Sequence, residues 1–269
     1  MRYFIEFYRF LKHIIQSKEL LFTLIKNEFR KQYLGSYFGL LWAFVQPITF
    51  MLVIWFVFDV GFRSAPVGGT PLFLWLISAM IPWFFFSDAL SQGTNSVVDN
   101  SFLVKKVTFR VSILPLVQIG SVLTIHIVLV GFLILMFLVY GYTPSLYWLQ
   151  LPFYILCSIL LVLGMVWTTS AIRVFVKDIG NFIGVIIQIG FWFTPIFWQI
   201  SMIPEKYQWI IKLNPMFYIV EGYRDTFINN IWFWEHWRLT PYFLVVTAIL
   251  LTVGAITFKR LRPHFGDVL

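Results

Sequence analysis

The sequence predicts an all-α integral membrane protein: six transmembrane helices, an N-terminal amphipathic interfacial helix, and short outer re-entrant helices between spans five and six. Three observations carry this expectation. Long apolar runs occupy Tyr37–Val60, Leu72–Leu90, Ile113–Tyr140, Leu149–Val176, Phe182–Ile200 and Tyr242–Phe258, and a hydrocarbon core about 30 Å thick needs about 20 helical residues to cross it. Hydrophobic residues make up 59% and charged residues 12%, with a mean hydropathy of +0.82, whereas soluble domains carry about 25% charged residues. Basic residues also segregate by side. Arg2, Arg9, Lys12, Lys18, Lys26, Arg30, Lys31, Lys105, Lys106, Arg110, Arg173, Lys177, Lys259, Arg260 and Arg262 fall on the side of the termini, and only Arg63, Lys206, Lys212, Arg224 and Arg238 on the other. Basic residues are retained in cytoplasmic loops, so both termini are expected in the cytoplasm. The net charge of +8 then reports topology and attraction to anionic headgroups, and no nucleic-acid partner is expected.

Residues 1–269 read as one membrane domain: a cytoplasmic segment 1–36, a six-span bundle 37–258 and a cytoplasmic tail 259–269. The first segment is too long and too charged for a cleaved signal peptide. Within it Leu21, Leu24, Ile25 and Phe29 fall at helical spacing, opposite Lys26, Asn27, Arg30 and Lys31. This is an amphipathic helix on the cytoplasmic membrane face, serving either as a topogenic anchor or as a handle for a partner.

The spans offer little chemistry. Asp59, Asp88, Arg173 and Asp178 fall near expected span ends, where water is close. Only His126 sits near a span middle, where a neutral histidine packed between helices fits. No phosphate-cradling G-x-x-x-x-G-K-[ST] loop occurs. His13, His126, His236 and His264 lack metal-binding spacing, and no carboxylate pair suggests acid–base catalysis. The lone Cys157 reads as a small buried apolar residue. No cofactor, metal or catalytic residue is expected in this chain.

Two inner loops look specialised: Val97–Arg110, which mixes apolar and basic residues, and Arg173–Asn181, a compact turn. On the outer side, Ser201–Pro241 carries three apolar pieces too short to cross, around Trp209–Ile211, Met216–Val220 and Ile231–Trp234. They fit re-entrant or interfacial helices, tolerated where protein or a wet cavity satisfies their backbone. Just before them stands an aromatic cluster, Phe191–Trp198. It fits an interfacial belt, or a channel lining offering aromatic faces to sugars and polyols. Gly35-x-x-x-Gly39 and Gly180-x-x-x-Gly184, at the inner ends of spans one and five, allow close helix approach, either between subunits or within one.

Four regions resemble the membrane subunits of ABC-2 type exporters for cell-surface polysaccharides. They are Arg30-Lys31-Gln32-Tyr33-Leu34-Gly35-Ser36-Tyr37-Phe38-Gly39-Leu40-Leu41-Trp42 with Gln46-Pro47, Leu103-Val104-Lys105-Lys106 with Leu114-Pro115, Val174-Phe175-Val176-Lys177-Asp178, and Leu213-Asn214-Pro215 with Tyr223-Arg224. Pro82-Trp83-Phe84-Phe85, Gly93-Thr94-Asn95-Ser96, Pro144–Gln150 and Thr194-Pro195-Ile196-Phe197-Trp198 are similar to the teichoic acid export branch. Thr108-Phe109-Arg110 departs from the pattern, since many relatives carry a proline before the basic residue.

The resemblance implies a six-helix subunit that pairs with a second copy through spans one and five. Two separate ATPase subunits would bind ATP and magnesium. Arg30, Lys31, Lys105, Lys106, Arg110, Lys177 and Asp178 would couple to them. It also implies a bacterial cytoplasmic membrane and a lipid-linked teichoic acid as cargo, passing along Trp42, Trp192, Phe193 and Trp198. Against an anionic cargo, Lys206, Lys212, Arg224 and Arg238 are matched by Glu205, Glu221, Asp225 and Glu235, so no basic funnel is visible. Arg224 itself reads as a local ion-pair partner. Alternatives are an exporter of O-antigen or capsule, and a membrane-embedded glycosyl- or acyltransferase.

Overall fold

The structure, a computed structural model, describes residues 18–33, 39–63, 65–105 and 110–269. Gly35, Lys106 and the Thr108-Phe109 elbow lie outside the described residues. The regular elements among the described residues are all helices, with no strand. Among these residues five helical stretches are long and apolar enough to cross a membrane: Trp42–Gly61, Leu72–Asn95, Val111–Val139, Leu146–Arg173 and Leu239–Val268.

The amphipathic helix α1, Lys18–Tyr33, packs along α4, Leu114–Val139, the third span. Contact is close because Gly120 has no side chain: a Cβ there would sit 2.5 Å from Ile25 Cδ1. The α1 apolar stripe thus meets a transmembrane helix as well as the interface.

The first span is α2, Trp42–Trp55, extended by a wide turn at Phe56–Gly61. The second, α3, Leu72–Asn95, is the centre of the bundle. Of its apolar window 83% is buried, against 11% for the first span and 22% for the sixth. The flanks of the outer helices therefore face lipid or another subunit. The fourth span α5, Leu151–Arg173, packs along the sixth, α9, Leu239–Leu261. Their crossing is glycine-mediated: a Cβ on Gly164 would lie 2.7 Å from the Leu251 nitrogen.

The fifth apolar run differs from expectation. Its helix α6, Ile179–Phe193, has 15 residues, about 22 Å at 1.5 Å per residue, short of a hydrocarbon core about 30 Å thick. Thr194 turns to extended geometry, φ −88° and ψ 132°, because Pro195 disfavours helix at the residue before it. The chain reaches Ile200 as irregular backbone.

Of the three outer apolar pieces, two are helices, α7, Glu205–Lys212, and α8, Pro215–Arg224. Ile231–Trp234 instead forms a loop and turn. The start of α8 follows from Asn214-Pro215: Asn214 Oδ1 accepts from the Met216 nitrogen at 3.0 Å, and proline suits the first helical position. α8 is buried from Met216 to Val220 and from Gly222 to Arg224, whereas α7 leaves Tyr207 and Trp209 exposed.

Candidate functional site

An open groove of ≈ 480 Å³ lies between α2, α3 and α6, two of which belong to stretches long and apolar enough to cross a membrane. Its walls combine aromatic rings (Trp42, Phe50, Trp83, Phe84, Phe191) with amides: Gln32 of α1, Gln46 of α2, Gln92 of α3 and Gln188 of α6. Ser87 and Asp88 complete the polar side, and among the described residues Asp88 is the one ionisable group lining the groove.

Helix registers explain the lining. Gln46 stands four residues, one turn, after Trp42, and Gln92 four after Asp88; such pairs share a helix face. Pro47 lies inside α2 and also lines the groove. Gln46, Asp88 and Gln188 are exposed to it. None of the four glutamines hydrogen-bonds another described residue through its side chain. Amides without protein partners at membrane depth are costly unless water or a ligand satisfies them.

The residues expected along a cargo path separate. Trp42 lines the groove. Trp192 and Phe193 stand on the outward flank of α6 and are exposed. Trp198 sits past the helix end, and its Nε1 donates to the Trp192 carbonyl at 3.2 Å. The aromatic cluster ties outer segments together, with Phe197 stacked on Phe58 at 6.1 Å and set edge-on to Phe191 at 5.1 Å.

Behind the aromatic cluster lies Arg224, 2% exposed. Its Nη1 donates to the Pro195 carbonyl and to Glu221 Oε1, both at 2.7 Å, and its Nη2 to the Ile196 carbonyl at 3.0 Å. The local ion pair with Glu221 is present. In addition the guanidinium satisfies the backbone freed where α6 breaks, a role sequence spacing gave no sign of. His126 is buried, and its Nε2 lies 2.8 Å from Tyr223 Oη. This is the packed, hydrogen-bonded histidine expected.

Arg30, Lys31, Lys105, Arg110, Lys177 and Asp178, expected on the inner side, are all exposed. Arg173 binds together three inner pieces: its Nε donates to Asn95 Oδ1 at 3.1 Å and its Nη1 to the Lys177 carbonyl. Burial pushes the Asp99 carboxyl above its ordinary range, against the pull of the Lys31 and Arg173 charges. The glycines behave unequally. Gly39 has φ +48° with open space at its Cβ direction, as does Gly184, whereas a Cβ on Gly180 would lie 3.1 Å from Arg173 Nε of its own chain. At Gly164 and Gly254, which the four-residue spacing did not single out, two helices of the subunit meet backbone against backbone.

Asp88 corrects an expectation. The second run ends at Leu90 by hydropathy, but α3 continues to Asn95, so Asp88 lies nearly two turns inside the helix.

An apolar helical bundle with a polar groove at membrane depth defines a multi-pass membrane protein of the permease class. The chain belongs to the ABC-2 type transporter family, whose profile it matches over residues 19–228. It is 28% identical over 253 residues to an O-antigen export system permease protein RfbA of Klebsiella pneumoniae, covering 93% of this chain and 95% of that protein. An RfbA of Myxococcus xanthus is 25% identical over 266 residues, covering 96% and 98%. The chain is thus a membrane subunit of an ABC-2 type transporter and is not itself an enzyme.

Proposed function

We propose that this subunit exports a lipid-linked, hydroxyl-rich surface glycan of the O-antigen kind across a bacterial cytoplasmic membrane. It would act as a homodimer, with both termini cytoplasmic, above two ATPase subunits that bind ATP and magnesium. The carrying observation is the groove. Its glutamines, without side-chain partners among the described residues, offer donors and acceptors together, its indole and phenyl faces suit the C–H faces of sugars, and no described Lys or Arg lines it. A polyol phosphate polymer would want basic side chains there, so the teichoic acid reading yields to the O-antigen alternative, which the relatives in Klebsiella and Myxococcus also favour.

The groove opens beside α2 and α6, helices whose far flanks are apolar and exposed, including Val53, Phe56, Phe182 and Ile189. A second copy seated there would enclose the groove. Alternating access then follows from different affinities of the ATPase subunits for ATP in two conformations, transmitted through α1 and the inner loops.

The test is reconstitution of the permease and its ATPase subunit in liposomes, with ATP hydrolysis measured against a neutral lipid-linked glycan and against a lipid-linked poly(polyol phosphate). Stimulation by the neutral glycan, weakened by Trp42→Ala and Gln188→Ala, supports the proposal. Preference for the phosphate polymer returns the chain to teichoic acid export, and failure to bind any ATPase subunit overturns the exporter reading.

A further inference from the structure

Most charged side chains inside the bundle are spoken for. Arg224 holds Glu221 and two carbonyls, Arg173 holds Asn95 and a carbonyl, and Asp225 accepts from Asn229 at 2.8 Å and faces His236 at 2.7 Å. Asp88 is different. It lies nearly two turns inside α3, exposed to the groove, and forms no hydrogen bond or ion pair with any described residue. A small cavity of ≈ 20 Å³ behind it is shared with His126, whose Nε2 is already engaged by Tyr223. An ionisable group at membrane depth is costly and calls for a functional account.

A second, independent observation points the same way. Gln46, Gln92 and Gln188 line the same groove and are equally without protein partners among the described residues. A lone carboxylate ringed by uncommitted amides, with Trp42 exposed beside it, is a set of groups arranged to be completed by hydroxyls. A carboxylate has two acceptor oxygens and can take both protons of a neighbouring pair of hydroxyls. The same negative charge, with no basic side chain among the described residues of the groove wall to offset it, repels a phosphodiester. In a poorly screened site such like-charge repulsion outweighs what it would be in water.

We propose that Asp88 is a specificity-determining residue: its carboxylate binds hydroxyl pairs of uncharged sugar segments and rejects phosphodiester-bearing chain. This rests on the exporter reading above and sharpens it, assigning charge selection to one side chain in the inner half of the second span. The amides around it are indifferent to charge sign, since each both donates and accepts, so removal of the carboxylate leaves a groove able to take either polymer.

The experiment uses the permease–ATPase complex in liposomes, with a neutral lipid-linked glycan and a lipid-linked poly(polyol phosphate) as the two probes. Asp88→Asn keeps shape and removes charge. It is expected to weaken half-maximal stimulation by the neutral glycan by about tenfold, the loss of a charge-assisted hydrogen bond, and to gain stimulation by the phosphate polymer. Asp88→Glu retains the charge and is expected to keep rejecting it. Asp88→Ser, equally uncharged, gives the same reading should the asparagine variant not assemble with its ATPase. A wild type stimulated by the neutral glycan, with uncharged variants of identical selectivity, overturns the role of Asp88 alone. A wild type that ignores the neutral glycan overturns the exporter reading and the inference with it.

Discussion

The Arg224 guanidinium lies 3.6 Å from the centre of the Trp75 ring, joining the outer helix α8 to the central helix α3. The same group donates to the Pro195 and Ile196 carbonyls, so one side chain fastens α8, α3 and the irregular end of the fifth span. Arginine suits this task because its planar fork bonds several acceptors in one plane while its face stacks on an aromatic ring. Arg224→Ala is expected to destabilise the subunit by about 2–4 kcal/mol, since two buried carbonyls lose their donors and Glu221 its partner. Arg224→Lys is expected to recover only part of this. Thermal unfolding of the detergent-solubilised complex checks both, and a lysine variant as stable as wild type would refute the bidentate role.

The crossing of α5 and α9 depends on two missing side chains. A Cβ at Gly164 would lie 2.7 Å from the Leu251 nitrogen and 2.8 Å from the Leu250 carbonyl carbon, which are backbone atoms and cannot swing aside. Gly164→Val is therefore expected to abolish folding, or to cost about 3 kcal/mol or more if the helices separate. Gly184→Val, with open space at its Cβ direction, is expected to leave the monomer fold intact. Comparison of membrane yield and gel-filtration profile distinguishes the two. Loss of self-association in the Gly184 variant alone would support its place at a subunit contact.

The outer surface carries a pH dependence. The hydrogen bond that His236 Nε2 donates to Asp225 Oδ2, at 2.7 Å, raises the His236 imidazole above its ordinary 6.5. A group whose folded value is raised stabilises fully below its unfolded value, and the stabilisation fades as pH rises through the folded one. The melting temperature is expected to fall as pH rises from 6.5 through that raised value. His236→Gln should flatten this component, and a variant that keeps the wild-type pH slope would assign it elsewhere.

On the inner face, Arg173 bridges Asn95 at the end of α3 to the carbonyl of Lys177 in the next inner loop. If α1 and these loops relay ATPase movement, cutting the bridge should loosen coupling more than stability. Arg173→Ala is expected to reduce glycan transport per ATP by about threefold to tenfold, on the order of 1 kcal/mol of coupling, with hydrolysis largely retained. An equal fall in transport and hydrolysis would place Arg173 in assembly instead.

The all-α class, five of the spans and the α1 stripe were legible because each rests on composition and period within one segment. The groove was not. Gln32, Gln46, Gln92 and Gln188 look unremarkable one at a time, and nothing local marks them as sharing a wall. Trp42 was legible as a cargo-path residue, whereas Trp83, noted only within a motif, and Phe191, noted only as part of the aromatic cluster, line the groove without having been placed on that path. The break at Thr194 carries a local signal in Pro195, outweighed in the sequence reading by the continuous hydropathy of the run.

The sequence by itself determined which segments enter the membrane, which side holds the basic residues, and that the chain resembles exporter subunits. Those properties come from hydropathy, charge and short motifs, each a sum over neighbouring residues. Only the tertiary structure decided that Arg224 fastens a broken helix end, that Gly164 rather than Gly180 lies where two helix backbones meet, and that Asp88 shares a groove with four amides. Each joins residues separated along the chain, and a polar side chain's meaning inside a membrane depends on whether a neighbouring helix supplies its hydrogen-bond partner.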